Sequence, residues 1–187
     1  MARTARGTIN AEVATSPGIA GCLNAKGFPD GDEVGLLAGL AHRLREAGLA
    51  VDRLILHQRT LHPEILARAV AWAPNEPIEI YDQQFGFDLS LNFAGSPLHR
   101  VMETGAEEAI RLVPATSPAW FWCLTLGRRN LVELVIMPLG NIEGPVSTLT
   151  FGTARPGGFA PSDRLMLQHI APAVREAYEA QQTATAP

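Results

Sequence analysis

The polar side chains best placed to do chemistry lie between Val51 and Ile80, where His57, Arg59 and His62 interrupt an otherwise apolar run. Read as a strand over Val51 to Leu61, the segment puts Leu54, Leu56, Gln58 and Thr60 on one face and Ile55, His57, Arg59 and Leu61 on the other. An imidazole beside a guanidinium is costly to bury unless an anionic or hydrogen-bonding partner meets the pair. On a half-exposed sheet both simply face water. A guanidinium presents a bidentate fork, so Arg59 is the expected partner of an anionic group. His62 belongs to the string Arg59 to Pro63, RTLHP, where it either contacts a ligand or shapes a turn. Ser96 precedes Pro97 at a helix start whose free amides suit an anion or a carbonyl, although capping alone accounts for it. Trp72 and Trp120 are large enough to wall a pocket; the cluster Trp120, Phe121, Trp122 otherwise belongs to a core.

The rest of the chemistry is excluded rather than offered. There is no GxSxG, HExxH or Cys/His nucleophile arrangement, and Arg155 to Phe159, RPGGF, lacks the lysine and the glycine spacing of a phosphate-binding loop. Cys22 and Cys123 stand about a hundred positions apart without metal-ligand spacing, so two free thiols are expected and a structural zinc is not. A net charge of -4 without a Lys/Arg block gives no footprint for nucleic acid or an anionic membrane. No run reaches the roughly 18 to 20 apolar residues of a membrane span. Two early arginines without a following apolar region do not make a secretory signal, so a cytoplasmic protein is expected.

The elements that must position these groups fit one domain within 187 residues. Residues 1–29 read as a flexible arm, 30–180 as the domain and 181–187 as a disordered tail. A helix starts at Asp32, carries Leu37, Leu40, Ala41 and Leu44 at helical spacing and closes at Gly48. Propensity alone favours a helix after Pro63. Pro77 to Asp82 alternates as a short strand, and Gln83 to Asn92 reads as a loop or short helical insertion with Phe85, Phe87 and Leu89 to bury. The helix from Ser96 is expected to pack Leu98, Val101, Met102 and Ala109. Leu131 to Met137 and Val146 to Thr153 form a hairpin, and a terminal helix follows Asp163, with Pro172 inside it.

The strings GLLAGLAHRLREAGLAVDRLILHQRTLHPEILARAVAW, GSPLHRVMETG, VELVIMPL and ARPGGF together resemble the N-terminal regulatory region of bacterial class III adenylate/guanylate cyclases, which looks like a GAF-type sensor domain. The resemblance covers roughly residues 30 to 180, and it implies an α+β fold: a GAF-like antiparallel sheet with the N- and C-terminal helices on one face. It also implies a strand rather than a helix over Leu66 to Trp72. A terminal helix would pass a signal to a cyclase or another output domain. The catalytic aspartates of such cyclases lie in a following domain; FGFDLS, Phe85 to Ser90, lacks the glycine and aromatic of the metal-binding pattern. The function implied is a non-catalytic sensory module, dimeric through its helices, with a small molecule between the sheet and the Phe85 to Val113 insertion. His57, Arg59, His62 and Ser96 would be its polar contacts, with Trp72 and Trp120 as walls. The cofactor stays unknown: the pattern of cyclic-nucleotide-binding GAF domains is not discernible, a bilin has only Cys22, and a haem would need one of five histidines. A ligand-free dimerisation module and an inactive cyclase fragment are the alternatives.

Overall fold

The computed structural model describes residues 33–59, 63–112, 120, 124–126, 130–140 and 146–185. The proposed arm, Asp32, His62 and both cysteines lie outside these residues. In chain order the elements are α1 (Glu33–Glu46), β1 (Arg53–Arg59), β2 (Ile65–Trp72), β3 (Glu79–Gln84), a short 3-10 turn (Phe87–Leu89), α2 (Pro97–Thr104), β4 (Glu108–Arg111), β5 (Glu133–Leu139), β6 (Ser147–Thr153) and α3 (Pro161–Thr185). The six strands form one sheet in the order β3-β2-β1-β6-β5-β4, and every neighbouring pair is antiparallel.

Both long helices cover the same face, as expected. Leu37, Leu40, Ala41 and Leu44 of α1 and Leu167, Ile170 and Val174 of α3 join Leu54, Leu56, Val70, Leu149 and Phe151 of the sheet in one buried cluster. Each such side chain contributes about 1.5–3 kcal/mol when fully removed from water. A polar chain crosses this otherwise apolar layer: the Tyr178 hydroxyl lies 2.8 Å from Ser147 Oγ and 3.2 Å from Gln58 Oε1, and Gln58 Nε2 donates to Glu33. It therefore joins α3, β6, β1 and α1, and it explains why Gln58 can share a face with leucines.

β2 is a strand, and the propensity of its sequence for helix loses to pairing on both sides. α1 ends at a left-handed Gly48 (φ 85°), whose N–H donates to Arg45 O at 2.9 Å. The opposite face of the sheet carries the insertion. There α2 is shorter than its sequence suggests, because Gly105 takes a left-handed cap (φ 65°) and releases the chain into β4 at the sheet edge. Ala109 consequently belongs to a strand and not to the helix. Phe85 and Leu89, expected to be buried, are 63% and 83% exposed, and only Phe87 of the three packs inward. α3 continues through Thr185, into the segment read as a tail.

The start of α3 is tied down by charge. Asp163 accepts from the Ala160 N–H and from Arg155, a capping arrangement at the first turn. Glu133 of β5, 2% exposed, accepts from the Phe159 N–H at 2.7 Å and from Arg164 of α3. Gly158 (φ 80°) passes so close that a Cβ there would sit 2.0 Å from the Glu133 carboxylate.

Candidate functional site

The site lies between the sheet and the insertion. Strand alternation sends Ala67, Ala69 and Ala71 of β2 to this face, and the register places His57 of β1 opposite Ala69 and Ile55 opposite Ala71. Three alanines in alternation leave a trough between β1 and β3. An irregular register between Ile65 and Ala67 also brings Leu66 to the trough. Above it sit Phe87 and Phe93, with ring centroids 5.8 Å apart, and Leu98 and Met102 of α2. Leu126 closes the far side against Ile55, Ala69 and Ala71. The cavity is partly open to solvent and measures about 60 Å³. At about 10–15 Å³ for each water, that space holds roughly four to six waters, about the volume of one benzene ring.

Polar groups are few and unequal in depth. His57 is 8% exposed and lines the cavity. Gln83 and Asp88 contribute at the margin. Arg68 also borders the cavity, but it pairs with Gln58, so alternation turns its side chain to the helix face, where its Nε and Nη2 donate to the two carboxylate oxygens of Asp82 at 2.7 and 3.1 Å. That fork holds the Arg68 guanidinium above its ordinary pKa. On the cavity face of the sheet Arg53, 1% exposed, donates through Nη2 to Glu79 Oε2 at 2.6 Å, and the Tyr81 hydroxyl donates to Glu79 Oε1 at 3.1 Å. Burial, and then the bond to Glu79, push the Tyr81 hydroxyl above its usual pKa. Among the described residues, two further buried hydroxyls have no hydrogen-bond partner, Thr148 and Thr150 of β6. Thr148 stands beside His57 and Thr150 beside Ile55.

The residues singled out from the sequence meet different fates. His57 reaches the cavity. Arg59 closes β1, with its side chain outside the described residues, and His62 is outside them altogether. Trp72 does not wall this cavity: it pairs with Leu54, so alternation turns it to the opposite face, where it packs against the α1 and α3 cluster. Trp120 is on the insertion side, against the cluster of Leu98, Val101 and Leu124, but it does not line the cavity. Ser96 is fully buried and its Oγ accepts from the His99 N–H at 3.1 Å, so its hydroxyl serves as the helix cap. The alanine trough was missed. The alternation of Ala67, Ala69 and Ala71 was a visible signal, but only once the segment is a strand.

The fold as a whole is similar to solved structures. The fold is that of GAF domains. The GAF domain of a two-component sensor histidine kinase from Bacillus halodurans is similar with a TM-score of 0.58 at 12% identity, over 83% of this chain and 99% of that one. The phycoerythrobilin-bound GAF domain of a cyanobacterial phytochrome gives 0.57 at 13% identity, over 92% and 98%. A free methionine-R-sulfoxide reductase from Neisseria meningitidis, solved with its substrate, gives 0.58 at 17% identity, over 97% and 99%. Identities this low speak for the fold alone, and that fold serves both sensors and an enzyme. No protein-family model matches the chain, and no curated protein matches it. Among the described residues no cluster of His, Cys, Asp or Glu could hold a metal ion, and no helix is long and apolar enough to cross a membrane.

Proposed function

We propose that the chain is a non-catalytic sensory module of the GAF type, which binds a small molecule in the cavity between the sheet and the insertion. The observation that carries this reading is the cavity itself: aromatic and aliphatic walls over a floor of alanines, with one deep imidazole, His57, in reach. Side chains larger than alanine at positions 67 and 69 would have filled this space and added apolar burial, so the small residues forgo stability for room. No nucleophile and base stand together among the cavity-lining residues, which favours binding over turnover. The likeness in sequence to cyclase regulatory regions makes a cyclase or other signalling output domain the expected partner. A homodimer through the helices, with α3 carrying the signal, belongs to the same reading.

The test pairs native mass spectrometry of the purified chain with thermal melting in the presence of benzene-sized molecules. The wild type should retain a bound molecule or gain a ligand-induced rise in melting temperature. Ala67→Leu should fill the trough and abolish either signal while the protein stays folded. An unchanged ligand-induced rise in Ala67→Leu would move the binding site elsewhere.

A further inference from the structure

The cross-strand rows of the sheet frame the two alanines on the cavity floor. Ala69 lies between His57 of β1 and Tyr81 of β3, and Ala67 lies between Arg59 of β1 and Gln83 of β3. Strands two places apart are about 9–10 Å from one another, and an alanine between them fills little of that gap. The row of Ala67 stands where β2 bulges: Leu66 is an extra residue between Ile65, opposite Gln84, and Ala67, opposite Gln83. Such bulges recur beside binding sites, where they re-aim a side chain.

Within this frame Gln83 is both equipped and uncommitted. Register turns it to the cavity face, it lines the cavity, and it is half-buried. Its amide offers two N–H donors and a carbonyl acceptor, and its side chain makes no hydrogen bond among the described residues. The Tyr81 hydroxyl, by contrast, donates to Glu79. Charge at this margin has both signs. Asp88 lines it as an acid with no ion pair among the described residues, and Arg59 adds a base to the row of Gln83. Arg68 is turned to the helix face and held by Asp82. A charged head group would be favoured by one of Asp88 and Arg59 and opposed by the other, whereas a neutral head is opposed by neither.

We propose that Gln83 receives the head of an aryl carboxamide, whose ring lies over Ala67 and Ala69 beneath Phe87 and Phe93. This assignment rests on the cavity reading and adds the chemical class of the occupant. Amide against amide forms two hydrogen bonds, each group donating one and accepting one. The second N–H of the ligand is left for the Asp88 carboxylate or for water at the open margin. A carboxylate lacks the donor that the Gln83 carbonyl needs, and an amidinium lacks the acceptor that its N–H needs.

Benzamide, benzamidine and benzoate have nearly the same shape and carry a neutral, a positive and a negative head, while toluene supplies the ring alone. With the full chain near neutral pH, benzamide should bind about tenfold more tightly than any of the other three. Gln83→Leu, a substitution on a half-buried edge strand, should melt close to the wild type, lose that preference and bind toluene unchanged. Gln83→Glu keeps the acceptor and removes the donor, so benzamidine should then bind more tightly than benzamide. Equal binding of benzamide and toluene to the wild type, or a preference that survives in Gln83→Leu, overturns the assignment. Tightest binding of benzoate overturns it in favour of Arg59, and tightest binding of benzamidine in favour of Asp88. Each of these results leaves the cavity reading standing as long as Ala67→Leu abolishes binding of the ring. No response to any of the four probes overturns both readings.

Discussion

Gly158 gives the sharpest test of how the sheet holds the start of α3. Its neighbour Gly157 has almost the same backbone, φ 90° against 80°, but a Cβ at 157 would meet nothing within 4 Å while one at 158 would sit 2.0 Å from Glu133 Oε2. Gly157→Ala therefore measures the left-handed conformation alone, about 1–2 kcal/mol. Gly158→Ala adds the displacement of a buried carboxylate from the Phe159 N–H and Arg164. Only the carboxylate of this pair is buried, since Arg164 is 44% exposed. Leaving a buried acceptor short of its partners costs about 1–3 kcal/mol, so Gly158→Ala should lose about 2–5 kcal/mol, against a total stability of about 5–15 kcal/mol for an ordinary domain. Urea unfolding followed by far-UV circular dichroism measures both variants. The clash has a second signature, since in a Glu133→Ala background only the flexible end of Arg111, 3.0 Å away, stays near the added methyl, and Gly158→Ala should cost close to what Gly157→Ala does. Coupling between 158 and 133 of at least about 1.5 kcal/mol is expected for groups in contact. Equal midpoints for the two alanine variants, or strict additivity of Gly158→Ala with Glu133→Ala, would refute the close approach.

Other expectations follow from the same geometry. Ser96→Ala removes the side-chain acceptor of the His99 N–H and should cost about 1 kcal/mol in chemical unfolding; no loss would mean that the helix start is held by packing alone. Burial raises the Tyr178 hydroxyl above its ordinary pKa, the Ser147 bond opposing and nearby Glu33 reinforcing. Its folded pKa thus exceeds its unfolded one, so its contribution is intact below about pH 10 and fades as pH rises through the folded value. Tyr178→Phe should lose about 1 kcal/mol at neutral pH through the bonds to Ser147 and Gln58. Its stability should then fall less steeply than the wild type in alkali; parallel alkaline profiles would count against the raised pKa. Leu98→Ala, at the junction of α2 and the cavity, should destabilise by about 2–5 kcal/mol.

Much of the fold was legible because its signals are local. The apolar stripe of α1, the Ser96 cap before Pro97 and the pairing of Glu133–Leu139 with Ser147–Thr153 depend on periodicity and turn chemistry within a few residues. β2 was not legible by propensity, because its neighbours on both sides impose the strand; only the resemblance to GAF-type regions corrected it. β4 was hidden for a similar reason. Its four residues look helical, and the left-handed Gly105 that separates them from α2 acts through backbone geometry. The site was partly legible: His57 stands out as a polar residue in an apolar run. Trp72 misled, since its size suggested a pocket wall, whereas the pairing of Trp72 with Leu54 decides its face and no short-range pattern encodes that pairing.

The strand order has a consequence for how the chain reaches its native state. β1, β2 and β3 form one local meander and β4, β5 and β6 another, and the two meet only where β1 pairs with β6. Leu54 is joined there to Phe151, roughly a hundred residues later, a closure whose entropic cost grows only slowly with length but which raises the contact order. Each half can therefore assemble from near neighbours before the seam forms. A chain cut within the exposed stretch around Leu89 and Leu91 would yield two fragments, each with three strands and one long helix. Mixed together, they should recombine along β1 and β6 into a single sheet.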